Sequence, residues 1–171
     1  FVNFMDGLNG LVAGCMSVVL FFAVIEIGPS LPIWTLIGGL LGFLVWNWSS
    51  AKVFMGDVGS TFLGALLAGL VLQSPNWIIA FSLLFIATPL LGDACFCVPR
   101  RLLAGQRVFQ SHRLHLYQRL HQAGWSHARV STLYIFCTGL LGLALLLGGV
   151  LGVISMSLCV FLFGVWLDQR V

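Results

Sequence analysis

The sequence predicts an all-α, polytopic membrane helical bundle with about six transmembrane helices. Composition points there first. Hydrophobic residues make up 60% of the 171 and charged residues only 8%, with a mean hydropathy of +1.05, where soluble domains carry about 25% charge. The apolar residues run on continuously instead of alternating, which favours helices over a β-barrel. Charge is also unevenly placed: Arg100, Arg101, Arg107, Arg113, Arg119 and Arg129 are six of the eight Lys and Arg residues. These observations exclude a cytosolic globule, a disordered tail and a nucleic-acid-binding domain.

The apolar segments run 11–27, 31–46, 62–73, 77–91, 130–149 and 151–167. A spanning helix needs about 20 residues, so several extend into their flanks, and the third is expected to begin near Val58. Pro89 should kink the fourth. The last two form one uncharged run, too long for a single crossing at about 1.5 Å per residue. Gly148, Gly149 and Gly152 are the expected turn.

Assigning the connections to alternating sides puts residues 1–10, the loops near 46–61 and 93–129, and the carboxyl end together. The short connections 28–30 and 74–76 and the turn near Gly149 fall on the other side. Every Lys and Arg then lies on the first side, which the positive-inside rule makes cytoplasmic. Glu26, near the opposite face, reads as interfacial. Trp34, Trp46, Trp48, Trp77 and Trp166 fall near helix ends, as interfacial anchors do. Asp6, Asp57, Asp93, Lys52 and the histidines gather on the charged side, so a site facing the cytoplasm is expected.

Three polar constellations lie there. In Asn3–Gly10 (NFMDGLNG), Asn3, Asp6 and Asn9 recur every three residues and would share a helical face. The plainer reading is capping of the first membrane helix, and spacing alone favours the cap. In residues 51–60 (AKVFMGDVGS), Asp57 between glycines is suited to a hard cation held by oxygen, and Lys52 to phosphate oxygens. Capping by Asp57 or Ser60, with Lys52 as an orientation charge, is the equal alternative. In residues 111–121 (SHRLHLYQRLH), His112 and His115 would share one face of a helix. Leu114, Leu116 and Leu120 would rest that helix on the interface. Imidazole and guanidinium groups there suit a pyrophosphate; the alternative is a basic loop drawn to anionic lipid. Asp93 reads either as a site carboxylate or as a partner for Arg100 or Arg101. The five cysteines form no disulfide framework, and the Cys95–Cys97 pair reads as packing before metal binding.

At these residues the chain resembles the polyprenyl-phosphate N-acetylhexosamine-1-phosphate transferases of glycosyltransferase family 4. Asn3–Gly10 is similar to the family's N-x-x-D-G-x-D-G-L motif. Residues 54–60 match F-M-G-D-x-G-S without a mismatch, and residues 112–120 (HRLHLYQRL) look like the His motif of the O-antigen-initiating branch. The resemblance implies attack of undecaprenyl phosphate on a UDP-N-acetylhexosamine, release of UMP, and a start to O-antigen or other cell-envelope polysaccharide. It implies Asp57 as a ligand of Mg²⁺, with Mn²⁺ as the alternative, and Asp57, Asp6, His112 and His115 as catalytic residues. Asn3, Asn9, Lys52 and Arg113 would bind substrate. The implied setting is the bacterial inner membrane with the site facing the cytoplasm; a homodimer is compatible with it.

Asn9 departs from the family pattern, which usually has a second Asp there. The family's aspartate pair is not found in residues 1–171, and the chain opens at Phe1 already inside a motif. The expectation is therefore one transmembrane domain forming the carboxyl-terminal part of a larger enzyme, inactive as an isolated fragment. The competing function is a transporter or lipid-binding module with a basic cytoplasmic patch and no catalysis. A transporter should carry ionisable residues within its spans, whereas here they collect at one surface.

Overall fold

The computed structural model describes residues 1–103, 105 and 114–171, the Leu103 side chain excepted. Among these residues it is all helix, with no strand. A short 3-10 helix, Val2–Met5, leads into α1 (Leu11–Ile27), α2 (Leu31–Asn47), α3 (Gly56–Leu72), α4 (Trp77–Ile86), α5 (Thr88–Leu103), α6 (Leu116–Gln122) and α7 (His127–Asp168). α1 forms the centre. It is apolar all round, and a helix of that kind belongs in an interior: Leu11, Val12, Cys15, Met16, Val19 and Leu20 are all buried in the core.

The helix ends follow local chemistry. Pro32 sits in the first turn of α2, where its missing N–H costs nothing. Asn76 caps α4 by accepting the Ile79 N–H at 2.9 Å, and Ser126 accepts the Arg129 N–H at the start of α7. The third apolar segment begins its helix at Gly56, close to the expected start.

Two boundaries differ from the sequence reading. The 77–91 segment is not one kinked helix: α4 and α5 are separate, bent by 77° across Ala87. Pro89 lies in the first turn of α5, where a proline is tolerated, so the break comes before it. α5 then continues to Leu103, and much of the expected 93–129 loop is helical.

The 42 residues of α7 would reach about 63 Å as a straight rod. They do not, because Gly149 is non-helical (φ 59°, ψ −153°). Tyr134 and Asp168 are 34 residues apart, about 51 Å along a straight helix. Yet Tyr134 bonds Asp93 and Asp168 pairs with Arg119 of α6, while Asp93 itself accepts α6 backbone N–H groups. The segment is a hairpin of two arms turning at Gly149, as the glycine cluster predicts.

Among the described residues, α7 is the helix long and apolar enough to cross a membrane, and α4 with α5 qualifies as one bent span. α1, α2 and α3 have 17 residues each, about 26 Å, slightly under the ~30 Å hydrocarbon thickness. The six apolar segments of the sequence correspond to α1, α2, α3, the α4–α5 pair and the two arms of α7.

Candidate active site at the polar end of the bundle

The segments that the topology puts on one side do meet at one end. Ser60 of α3 donates to the Asn3 Oδ1 at 2.6 Å. Asn47, at the end of α2, accepts the Gly10 N–H and donates to the Val53 carbonyl, both at 2.8 Å. Tyr117 of α6 donates to the Phe4 carbonyl at 2.9 Å. The Asn9 N–H donates to His127 Nδ1 at 3.3 Å, and Ser131 donates to the Asn9 carbonyl at 2.7 Å. The Asn3–Gly10 segment is thus held from α2, α3, α6 and α7 at once.

That geometry decides the capping question for the first motif. α1 takes Gly10 as its N-cap, with no side-chain cap. Neither Asp6 nor Asn9 is therefore spent on capping it, and Asn3, Asp6 and Asn9 do not form a continuous helical stripe. α3 likewise has no side-chain cap: its N-cap is Met55, and Asp57 stands in the first turn. Ser60 is fully buried and turned to Asn3. Asp57 is exposed, at the helix end that favours negative charge.

Asp6 feels the charge of Asp57. Burial pushes the Asp6 carboxyl up to about 6, and the charge of Asp57 adds to the rise. Carboxylates are hard-oxygen donors, and Asp6 lies within reach of the charge of Asp57. Among the described residues no three His, Cys, Asp or Glu converge on one point, which also leaves Cys95 and Cys97 without a metal cluster. Such donors fit Mg²⁺, which is commonly held by one or two carboxylates and completed by water and substrate phosphate.

The remaining expected residues are placed differently. Lys52 is exposed, its ammonium 5.4 Å from the centre of the Trp46 ring. Trp48, expected as an interfacial anchor, packs across Gly10. His112 and Arg113 lie outside the described residues. His115 is not on a helical face: it is the N-cap of α6, joined with Gln118 in a capping box. It is only 3% exposed, its ring stacked near Phe4 and Tyr117 at 6.4 and 5.8 Å. Tyr117 and Leu120 of α6 are buried in the core. Of the basic stretch, Arg100 and Arg119 both pair with Asp168, and Arg129 stacks on Trp125.

Sequence reasoning missed Asn47, Tyr117 and Asp168. Asn47 is a lone amide ending an apolar helix, and Tyr117 is one residue within a basic motif. An uncompensated polar residue at the end of an apolar run is the signal that could have found Asn47, because a buried amide must be satisfied.

The class this defines is an all-α membrane protein whose polar residues collect at one end of the bundle. Residues 1–75 match the model of glycosyl transferase family 4. The chain is 32% identical to a decaprenyl-phosphate N-acetylglucosaminephosphotransferase of Mycobacterium leprae, over 81% of this chain and 42% of the relative. It is 34% identical to a phospho-N-acetylmuramoyl-pentapeptide-transferase of Carboxydothermus hydrogenoformans, over 80% and 43%. With a Bacillus subtilis protein named as a probable undecaprenyl-phosphate N-acetylglucosaminyl 1-phosphate transferase, identity is 35% over 81% and 41%. The chain belongs to the polyprenyl-phosphate N-acetylhexosamine-1-phosphate transferase superfamily. It spans about two fifths of the length of these curated relatives.

Proposed function

We propose that the protein transfers a sugar-1-phosphate from a UDP-N-acetylhexosamine to undecaprenyl phosphate, releasing UMP, as a first step of O-antigen or related envelope synthesis. The reaction takes place at the cytoplasmic face of the inner membrane. The observation that carries this reading is Asp6, a carboxyl raised by burial and by the charge of Asp57, with both residues on segments anchored by Asn47 and Ser60, within the residues that match the family model.

An oxygen of the lipid phosphate attacks the phosphorus that bears the sugar. The bond from that phosphorus to the bridging oxygen of UMP breaks, and UMP leaves with the electron pair. Both partners are anionic, so positioning and charge neutralisation supply most of the acceleration. Asp57 and Asp6 would hold Mg²⁺, which offsets the diphosphate charge. Asn3, fixed by Ser60, presents an amide to the nucleotide-sugar. Asn9 supports that segment through its backbone, and Lys52 is an exposed cation for phosphate. The His115 ring stacks near Phe4; by the family pattern His112 and His115 would contact the diphosphate or sugar, and Arg113 would neighbour a phosphate.

The experiment is Mg²⁺-dependent exchange of labelled UMP into UDP-N-acetylglucosamine, in membranes expressing the complete reading frame. Wild type should exchange, and Asp57→Asn should lose about a hundredfold or more. Equal exchange by both removes Asp57 from the site. No exchange with any UDP-N-acetylhexosamine removes the transferase reading in favour of a non-catalytic lipid-binding module.

A further inference from the structure

Asp93 lies on α5, outside the three motifs, with 5% of its side chain exposed. Both of its oxygens are engaged. Oδ1 accepts the Leu116 N–H at 2.9 Å and faces His115 Nδ1 at 3.3 Å. Oδ2 accepts the Tyr117 N–H at 3.2 Å and the Tyr134 hydroxyl at 2.7 Å. Arg100, the near cation in sequence, is instead held by Asp168 and by the Leu114 carbonyl at 2.6 Å.

A carboxylate only accepts, so the imidazole nitrogen facing it carries the proton. Asp93 therefore sets His115 with hydrogen on Nδ1 and fixes the rotation of its ring. An unsupported imidazole exchanges tautomers and flips, presenting either nitrogen; a carboxylate behind it selects one, as around metal-bound histidines. The same side chain holds the first turn of α6. That turn carries Tyr117, whose hydroxyl bonds Phe4 within the Asn3–Gly10 segment. One buried carboxylate thus orients the family-motif histidine and, through Tyr117, the segment bearing Asp6.

We propose that Asp93 is a positioning residue of the transfer reaction, acting through His115. This rests on the transferase reading above, and the test separates the two. Asp93→Asn, in membranes carrying the complete reading frame, should lower kcat for UMP exchange about ten- to a hundredfold and leave the KM for UDP-sugar within about threefold. In a His115→Gln background the same change should cost less than about a further twofold, because residues acting as a unit are not additive. Nitrogen-15 NMR of histidine-labelled protein, with His115 identified by its loss in His115→Gln, should show a protonated Nδ1 that Asp93→Leu, which removes every acceptor, abolishes.

Multiplicative losses in the double variant, an unchanged kcat, or a persistent Nδ1–H signal would each overturn the proposal. If Asp93→Asn does not accumulate, Tyr134→Phe removes one donor from the same carboxylate. It should lower kcat about threefold, again only where His115 is present; an unchanged kcat there counts against Asp93 equally. Absence of exchange in wild type rejects the transferase reading and this role with it. Exchange in wild type with an indifferent Asp93→Asn rejects this role alone.

Discussion

Asn47 takes the Gly10 N–H on its side-chain oxygen at 2.8 Å, and its amide nitrogen donates to the Val53 carbonyl at the same distance. One residue at the end of α2 therefore fixes the segment bearing Asp6 against the loop bearing Lys52 and leading to Asp57. Asn47 is buried, so its replacement leaves two backbone groups without partners. Asn47→Leu should cost about 1–3 kcal/mol for each group left unsatisfied, read as a lowered thermal midpoint in detergent. Asn47→Asp keeps the acceptor and loses the donor, so its exchange activity should fall between those of wild type and Asn47→Leu. Wild-type stability in Asn47→Leu would show that the two segments are held by other contacts.

The raised Asp6 carboxyl gives a pH dependence with a definite sign. Its native pKa of about 6 exceeds the ordinary value of 3.8, so the folded protein binds the proton more tightly than the unfolded chain. The resulting stabilisation is complete below about pH 3.8 and is lost as pH rises through about 6. Asp6→Asn should remove that slope, and its midpoint should gain on wild type between pH 4 and pH 7. Asp57→Asn removes the neighbouring charge and should shift the Asp6 titration down. Thermal midpoints measured across pH 4–8 read both effects. A slope that survives in Asp6→Asn would assign it to another group.

Element existence was legible because the apolar runs and their glycine and proline punctuation are local. The segment at 11–27 coincides with α1, and the glycine cluster at 148–152 marks the turn of α7. The break at Ala87 was not legible, because Pro89 signals a kink without saying on which side the chain bends. Asp57 and Asp6 stand out in the sequence by their flanking glycines and their motif. The effect of the Asp57 charge on Asp6, and the pairing of Asp93 with His115 rather than with an arginine, depend on tertiary proximity across 51 and 22 positions. Spacing also put His115 on a helical face, whereas the capping box begins the helix one residue later.

Gly7 and Tyr117 form a tight pair. A Cβ added at Gly7 would sit 2.4 Å from the Tyr117 hydroxyl and 2.9 Å from its ring. Tyr117 is 1% exposed and has nowhere to withdraw. Its hydroxyl also binds the Phe4 carbonyl and accepts from Gln118. Gly7→Ala should therefore destabilise by about 1–3 kcal/mol and reduce exchange. Tyr117→Phe alone should cost about 1 kcal/mol in lost hydrogen bonding. Combined, the two should cost less than their sum, because Phe removes the atom that Ala strikes. A double variant whose losses add would mean that Tyr117 shifts aside without penalty.

The hairpin of α7 rests on two glycines with different tasks, which substitution can separate. Gly149 has φ 59° and ψ −153°, backbone that an L side chain reaches only under strain of about 1–3 kcal/mol. It has open space around it, so Gly149→Ala should lose about that amount and no more. Gly152 is crowded instead: an added Cβ would lie 2.4 Å from the Ala144 carbonyl oxygen on the opposite arm. Backbone has no rotamer to yield, so Gly152→Val must spread the arms near the turn. The change should reach Asp168, which closes the far end of the hairpin against Arg100 and Arg119. Gly152→Val should therefore lower the thermal midpoint more than Gly149→Ala and make it sensitive to salt. If the two are equally mild, the arms are held by side-chain packing rather than by close backbone approach.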